Sequence, residues 1–151
     1  WDVESLLDLS FAPGREALSS YRLRDGVLPV AKLCLVARDF DGIIGGSIRF
    51  WPVQIGCNKV KALLLGPIAV HPTRQGEGVG GELIRSALTL AKKDGWTRIV
   101  LIGDEIYYNK FGFKKSNFLR FPPPTNPNRL LYLELKPDAF KDVNGEIQRS
   151  E

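Results

Sequence analysis

The feature that most constrains this chain is a glycine-rich segment, residues 76–81, that joins a strand-like run to a helix-like run. Four of its six residues are glycine, whereas a tight turn needs only one or two residues of special geometry. Without side chains, the backbone N–H groups at the start of the helix are bare, and they lie at the positive end of the helix dipole. The segment therefore predicts a binding site for an anion, usually the phosphate or pyrophosphate of a cofactor.

Hydrophobic spacing predicts the elements around this segment. Apolar residues recur at helical spacing from Val79 to Ala91 within a helix at 79–93, and Gly95 is placed to end it. The rest of the chain predicts helices at 2–9 and 15–24, a hairpin of strands at 31–38 and 43–51, a strand at 62–70 interrupted at 66–67, a strand at 97–102, a helix at 105–111, a strand from 113, a last strand at 129–135 and a loosely held tail after 137. This order predicts a mixed α/β fold with an antiparallel first half and one βαβ crossover.

Length and composition narrow the classes of protein. The 151 residues suit one domain, and the hydrophobic and charged fractions, 44% and 25%, are those of a globular protein. No apolar run is long enough to span a membrane, and no Lys/Arg-rich run with interleaved aromatic residues predicts binding to nucleic acid. Cys34 and Cys57 show neither metal-ligand spacing nor a disulfide framework, so we expect no metal and a reducing, cytoplasmic compartment.

The details of the loop distinguish among phosphate-binding motifs. The P-loop pattern is absent, because no Lys-Ser or Lys-Thr pair follows the glycines. The dinucleotide pattern G-x-G-x-x-G is formally present at Gly76, Gly78 and Gly81, with Asp104 downstream. In dinucleotide-binding folds, however, the first glycine follows the strand directly, whereas residues 71–75 intervene here. An oxidoreductase domain is therefore disfavoured.

Two motifs carry a resemblance to a known family. The spacing Gln75-x-x-Gly78-x-Gly80 resembles the acyl-CoA pyrophosphate loop of the GNAT N-acetyltransferase superfamily. The sequence Tyr-x-x-x-Gly-Phe that begins at Tyr108 resembles a second signature of that family, and it lies one predicted helix and one predicted strand further along the chain. Segments 65–70 and 103–108 resemble one bacterial subgroup of predicted acetyltransferases.

The resemblance covers roughly residues 33–135 and implies a fold. It is a GNAT-like α/β fold, with a mixed, mainly antiparallel sheet flanked by helices and with splayed central strands that bind acyl-CoA. We expect a single domain over 1–151, with the first strand of the family missing at the N-terminus and a peripheral tail at 137–151.

The resemblance also implies an activity, the transfer of an acetyl group from acetyl-CoA to an amine by direct attack in a ternary complex. Tyr108 is the implied general acid for the leaving thiolate, although a tyrosine in a short amphipathic helix is more often a core residue. The implied cofactor-binding residues pair with the pantetheine arm through the backbone of Ile68, Ala69 and Val70, and hold the pyrophosphate through the N–H groups of Gln75, Gly76, Glu77, Gly78, Val79 and Gly80.

The general base and the acceptor stay open. The predicted strand at 62–70 has no carboxylate, so Asp104, Glu105 and a water relay remain alternatives, and the two carboxylates suit helix capping equally well. His71 is the only histidine, and a solvated loop position is its expected role. A catalytically silent acyl-CoA sensor or scaffold is the competing function, and a homodimer is one assembly left open.

The proline-rich loop at 121–128 is flanked by Arg120 and Arg129. One hypothesis is a rigid, basic gate for an anionic acceptor, because prolines lower the entropy lost when a loop is ordered. The alternative is that the prolines only keep an exposed connection from pairing with other chains.

The loop assignment predicts nucleotide selectivity. We expect CoA and acetyl-CoA to raise the melting temperature of the protein, and NAD(P) and ATP to leave it nearly unchanged. Gly78→Val should weaken CoA binding, because its side chain stands where pyrophosphate oxygens approach. A thermal-shift titration measures both effects. Preferential stabilisation by NAD, or full CoA affinity in a folded Gly78→Val protein, contradicts the assignment.

Overall fold

A computed structural model describes residues 29–30, 35–38, 44–66, 68–70, 78–121 and 127–149. The predicted helices at 2–9 and 15–24 lie outside the described residues, as does the stretch 71–77, which includes the first half of the predicted pyrophosphate loop. Residues 122–126 of the proline-rich loop are also outside them.

The described elements alternate as the crossover pattern predicts. The described residues contain two α-helices, α1 at Val79–Lys93 and α2 at Glu105–Tyr108, and 3₁₀ turns follow at Asn109–Phe111 and Pro127–Arg129. The strands are β1 at Leu35–Arg38, β2 at Ile44–Ile48, β3 at Phe50–Ile55, β4 at Val60–Leu65, β5 at Ala69–Val70, β6 at Arg98–Ile102, β7 at Lys114–Lys115, β8 at Leu119–Arg120, β9 at Leu130–Glu134 and β10 at Gly145–Arg149.

These strands form two sheets. The smaller has the order β1-β2-β5, and the larger has the order β7-β9-β6-β4-β3-β10-β8. All neighbours are antiparallel except β4 with β6 and β8 with β10. The parallel pair β4–β6 is joined through α1, so the predicted crossover and the mixed, mainly antiparallel sheet are confirmed.

Side-chain alternation along the strands divides the core into two clusters. In β4, Leu63 and Leu65 face α1 and join a helix-side cluster with the apolar residues of that helix. Ala62 and Leu64 face the other way, into a tail-side cluster that contains Phe140 and Ile147. The central strands are therefore buried on both faces, which explains their nearly continuous apolar sequence.

The predicted strand at 43–51 is wrong in its extent. The chain forms two strands there, because β2 ends at Ile48, in the smaller sheet, and β3 begins at Phe50, in the larger sheet. The predicted strand at 62–70 divides in the same way, since β4 ends at Leu65 and β5 lies in the smaller sheet. The interruption predicted at 66–67 is found at Gly66, which is outside both strands.

The loosely held, peripheral tail is a second correction. Phe140 is 6% exposed and Ile147 is fully buried, and both belong to the tail-side cluster. Two side chains fasten the segment, since Arg98 Nε donates to the Ala139 carbonyl at 2.6 Å and a Glu134 carboxylate oxygen accepts from the Phe140 N–H at 2.9 Å. The sequence did not predict strand β10, because the strand has few apolar residues and only Ile147 points inward.

The tail also closes the larger sheet. Strand β10 pairs antiparallel with β3 and parallel with β8. Strands β7 and β8 are close in sequence but lie at opposite ends of the strand order, so the sheet curls around the tail-side cluster. Through β3, this closure braces residues 60–62 of β4, the end of the strand away from Gly66.

Removing the buried ring of the tail should destabilise the whole protein. We expect Phe140→Ala to lower the free energy of unfolding by about 3–5 kcal/mol, the usual cost of deleting a buried aromatic side chain. Denaturant titration measures it, and Lys141→Ala, which truncates the exposed neighbouring side chain, is the control. A decrease in the free energy of unfolding below about 1 kcal/mol would show that the tail is peripheral to the stability of the fold.

Candidate active site

The central strands separate beyond the middle of the sheet. Strands β4 and β6 pair at only two positions, Leu63 with Ile99 and Leu64 with Val100, although β6 continues to Ile102. Beyond Leu65 the chain turns to β5, which pairs with β2 instead. Among the described strands, the other edge of β5 has no partner. The predicted splay is therefore confirmed, and it leaves a slot between β5 and the end of β6.

Gly66 marks one wall of this slot. Its N–H donates to the Arg49 carbonyl at 2.7 Å, which ties the break in β4 to the break between β2 and β3. A Cβ at Gly66 would lie 2.6 Å from Trp51 Cζ3, so only glycine admits the indole ring at this place. Trp51 follows Phe50, which faces the helix-side cluster, so its ring lies on the opposite face of the sheet.

Gly103 marks the other wall, at the end of β6. Its N–H donates to the Arg129 carbonyl at 2.9 Å. A Cβ at Gly103 would lie 2.5 Å from Tyr108 Cε2, so the Tyr108 ring rests directly on this glycine. Tyr108 packs against the helix-side cluster, as does Ile68. The slot is thus bordered by two aromatic rings on opposite faces, each seated on a glycine.

Helix α2 holds Tyr108 in position. Asp104 is the N-cap, and its carboxylate accepts from the Ile106 N–H at 3.0 Å. The ring of Tyr108 makes edge contacts with Tyr107 at 5.0 Å and with Phe113 at 5.9 Å between centroids. Asp104 therefore has the capping role that the sequence left open, and Tyr107 packs its ring against that of Tyr108.

Burial sets the protonation state of Tyr108. Burial is the largest cause that raises the pKa of the phenol to about 12; Tyr107 and Asp104 also act to raise this pKa, and the Arg129 cation acts to lower it. At neutral pH the phenol therefore carries its proton, and it can donate a proton but not accept one.

The described part of the pyrophosphate loop begins at Gly78, whereas Gln75, Gly76 and Glu77 lie outside the described residues. Gly78 has φ of 79° and forms the N-cap of α1, with no side-chain hydrogen bond to cap the helix. Val79 and Gly80 follow in the first turn, and α1 packs against β1, β2 and β5. Helix α1 therefore packs against β5, the strand that borders one side of the slot.

The positive φ makes any substitution at Gly78 strained, although a Cβ there would meet nothing within 4 Å. Gly95, past the other end of α1, also has a positive φ, 91°, and equally open surroundings. Gly95→Val is therefore the matched control for Gly78→Val, because it imposes similar strain far from the loop.

The two arginines that flank the proline-rich loop are separated in the fold. Arg129 acts electrostatically on Tyr108. Arg120 instead lines a cavity of about 420 Å³ with the β3–β4 turn at 56–58 and residues 142–146. Of these two arginines, only Arg129 therefore acts on Tyr108 at the slot.

Sequence reasoning missed Gly103 and did not place Trp51. Gly103 had a signal, a glycine directly after a buried strand and before a capped helix. Trp51 had no such signal, because its role depends on the contact with Gly66.

Other features of the described residues say less about function. Neither described helix is long and apolar enough to cross a membrane. Within the described ranges, His, Cys, Asp and Glu side chains form no group of three or more that suits a metal ion. Cys57 is an exposed free thiol.

Comparison with known proteins agrees with this geometry. The acetyltransferase (GNAT) domain family matches residues 31–115, more than half of the chain. The uncharacterised N-acetyltransferase YhbS of Escherichia coli K12 is 29% identical over 99% of this chain and 89% of its own length. The uncharacterised N-acetyltransferase YjhQ of the same organism is 39% identical over 75% of this chain and 63% of its own length.

Solved structures agree as well. The crystal structure of E. coli YhbS in complex with CoA superposes with a TM-score of 0.85 and 29% identity, over 99% of this chain and 83% of that one. A GNAT family acetyltransferase from Brucella melitensis in complex with acetyl-CoA gives a TM-score of 0.71 and 31% identity, over 99% and 88% of the two chains. This chain belongs to the GNAT family of acetyltransferases, and it is an acyltransferase.

Proposed function

We propose that this protein transfers an acetyl group from acetyl-CoA to the amine of an acceptor by direct attack in a ternary complex. The observation that carries the proposal is the strand break at Gly66, which leaves one edge of β5 without a partner among the described strands. An extended ligand can occupy such an edge by hydrogen bonding to the backbone as an added strand would.

The donor fits this slot in two places. The backbone of Ile68, Ala69 and Val70 offers hydrogen bonds to the amides of the pantetheine arm. The N–H groups of residues 75–80 offer the pyrophosphate the positive end of α1. The related proteins support acetyl-CoA as the donor, since YhbS was crystallised with CoA and the Brucella protein with acetyl-CoA.

The two faces of the slot have different roles. Tyr108 lies on the face of the sheet that α1 covers, so the acceptor amine approaches from the opposite face, where Trp51 lies. The nitrogen bonds to the acetyl carbon, the carbon–sulfur bond breaks, and Tyr108 gives its proton to the leaving sulfur. The amine loses a proton to solvent, and solvent reprotonates the phenol. A neutral phenol suits this task, because its raised pKa keeps it protonated at neutral pH.

A catalytically silent acyl-CoA sensor is the second candidate. The observation that favours it is the composition of β4, whose residues include no carboxylate to serve as a base. Release of CoA thiol in the presence of a panel of amines separates the candidates, since a sensor binds acetyl-CoA without amine-dependent turnover.

Removing the phenolic hydroxyl should slow the reaction and leave donor binding intact. We expect Tyr108→Phe to lower kcat by about a hundredfold with little change in the acetyl-CoA Kd, because only the proton donor is lost. The defect should be constant between about pH 6 and pH 9, since the wild-type phenol stays protonated throughout this range. An unchanged kcat, with chemistry shown to be rate-limiting, reduces Tyr108 to a packing residue. Tyr107→Phe is the matched control.

Gly103 should act as a positioning residue for Tyr108. Gly103→Ala places a methyl group 2.5 Å from the Tyr108 ring, so the ring has to move. We expect kcat to fall and the alkaline titration of Tyr108 to shift toward the ordinary pKa of tyrosine, because displacement exposes the phenol. Ultraviolet difference titration measures that pKa. In the Tyr108→Phe background, Gly103→Ala should cost little further activity; a full additional loss in that background contradicts a role exerted through Tyr108.

A further inference from the structure

The face of the sheet opposite α1 changes from apolar to polar at the strand break. Ile48 and Phe50 both belong to the helix-side cluster, so the residues that alternate with them point to the opposite face. These alternating residues are Ser47, Arg49 and Trp51, which we call the acceptor-face row. Ser47 is 1% exposed, Trp51 is 6% exposed and Arg49 is half-buried. Further along β3 the same face is apolar and belongs to the tail-side cluster.

Contacts at Gly66 fix the acceptor-face row beside the slot. The Arg49 carbonyl accepts from the Gly66 N–H at 2.7 Å, and the Trp51 ring fills the space that a Cβ at Gly66 would need. The guanidinium carbon of Arg49 lies 5.2 Å from the centroid of the Trp51 ring. Ser47 pairs with Ala69 of β5, whose other edge has no partner among the described strands. The row therefore places a cation next to the break, on the face from which the acceptor approaches.

A half-buried arginine at this place favours an acceptor that carries an anion. A guanidinium keeps its charge at physiological pH, and its rigid fork of N–H donors matches a carboxylate in a bidentate geometry. Stacking on an aromatic ring engages the face of a guanidinium and not the N–H groups in its plane, so Trp51 orients the fork toward a ligand. Partial burial strengthens the attraction between opposite charges.

The same charge count distinguishes a carboxylate from a phosphate. One guanidinium balances the single charge of a carboxylate. A phosphate dianion would bring a second negative charge into the same half-buried place, where an unbalanced charge is costly.

We propose that Arg49 binds a carboxylate of the acceptor, so that the substrate is a small amine that also carries a carboxylate, such as an amino acid. This inference rests on the proposed function, in which the acceptor amine approaches from the face where Trp51 lies. Arg49 acts on specificity and not on the bonds that form and break. By holding the carboxylate, it keeps the amine nitrogen directed at the acetyl carbon.

Release of CoA thiol by the full chain, measured with matched acceptors, tests the inference. β-Alanine, β-alaninamide and 2-aminoethylphosphonate share one spacer and end in a carboxylate, a neutral amide and a phosphonate. The standard L-amino acids and their carboxamides form further matched pairs. We expect the carboxylate of the best matched set to have a kcat/KM about tenfold or more above that of its carboxamide, the scale of one charge-assisted bidentate contact. The phosphonate should be no better than the amide.

Variants of Arg49 separate binding of the acceptor from support of the fold. Arg49→Gln should raise the KM of the carboxylate acceptor about tenfold and bring its kcat/KM close to that of the carboxamide. The acetyl-CoA Kd, measured by calorimetry, should change little. Arg49→Lys should restore part of the preference, because lysine keeps the charge but loses the bidentate fork. Lys61→Gln, which removes an exposed charge at the end of β4 away from Gly66, is the control and should leave the preference unchanged.

The outcomes distinguish this inference from the proposed function. Amine-dependent turnover with no preference for carboxylates, or with a preference for the phosphonate, overturns the carboxylate site and leaves the transferase function standing. An Arg49→Gln protein that binds acetyl-CoA normally but slows carboxylate and carboxamide acceptors equally also overturns the site. If Arg49→Gln does not fold, the preference of the wild type and its partial loss in Arg49→Lys decide. Acetyl-CoA binding with no amine-dependent release of CoA overturns the proposed function, and this inference with it.

Discussion

The hydrogen bond from the Gly66 N–H to the Arg49 carbonyl is the interaction on which the rest of this structure depends. It forms where one pair of neighbouring strands leaves the larger sheet and continues as part of the smaller one. A side chain at Gly66 would collide with Trp51, so the break and the packed ring require each other. Strand β5 does not continue β4 alongside β6, so the slot opens between β5 and β6. The Gly66 N–H at the break still has a hydrogen-bond partner, the Arg49 carbonyl.

The opposite half of the sheet balances this opening. There the strands are paired without interruption, and β10 closes the curl around a cluster of apolar side chains. Buried apolar residues and a fully paired ladder make that half stable, so strand pairs can be given up at the other end. Arg98 in β6 and Glu134 in β9 bind the backbone of the tail and thereby fasten the closure to β6 and its neighbour.

The sequence predicted the parts that local rules determine. Helix α1 has the predicted bounds. The strand is interrupted at Gly66, where a glycine and a proline in the sequence predicted an interruption. Gly112, with φ of 98°, ends the 3₁₀ turn after α2. The split of residues 43–51 was not predictable, because it depends on a carbonyl that bonds across the sheet to Gly66. The tail strand was missed because its stability comes from distant partners, and the roles of Gly103 and Trp51 are visible only as ring contacts. Propensity carries no information about such contacts.

Our central proposal is that the strand break creates the donor slot and that Tyr108 borders the reacting sulfur. A crystal structure of the wild-type protein with CoA tests it most directly. The account predicts pantetheine amides hydrogen-bonded to the backbone of 68–70, phosphates at the start of α1 and the thiol within hydrogen-bonding distance of the Tyr108 hydroxyl. A pantetheine arm that runs outside the gap between β5 and β6, or a thiol remote from Tyr108, would contradict it.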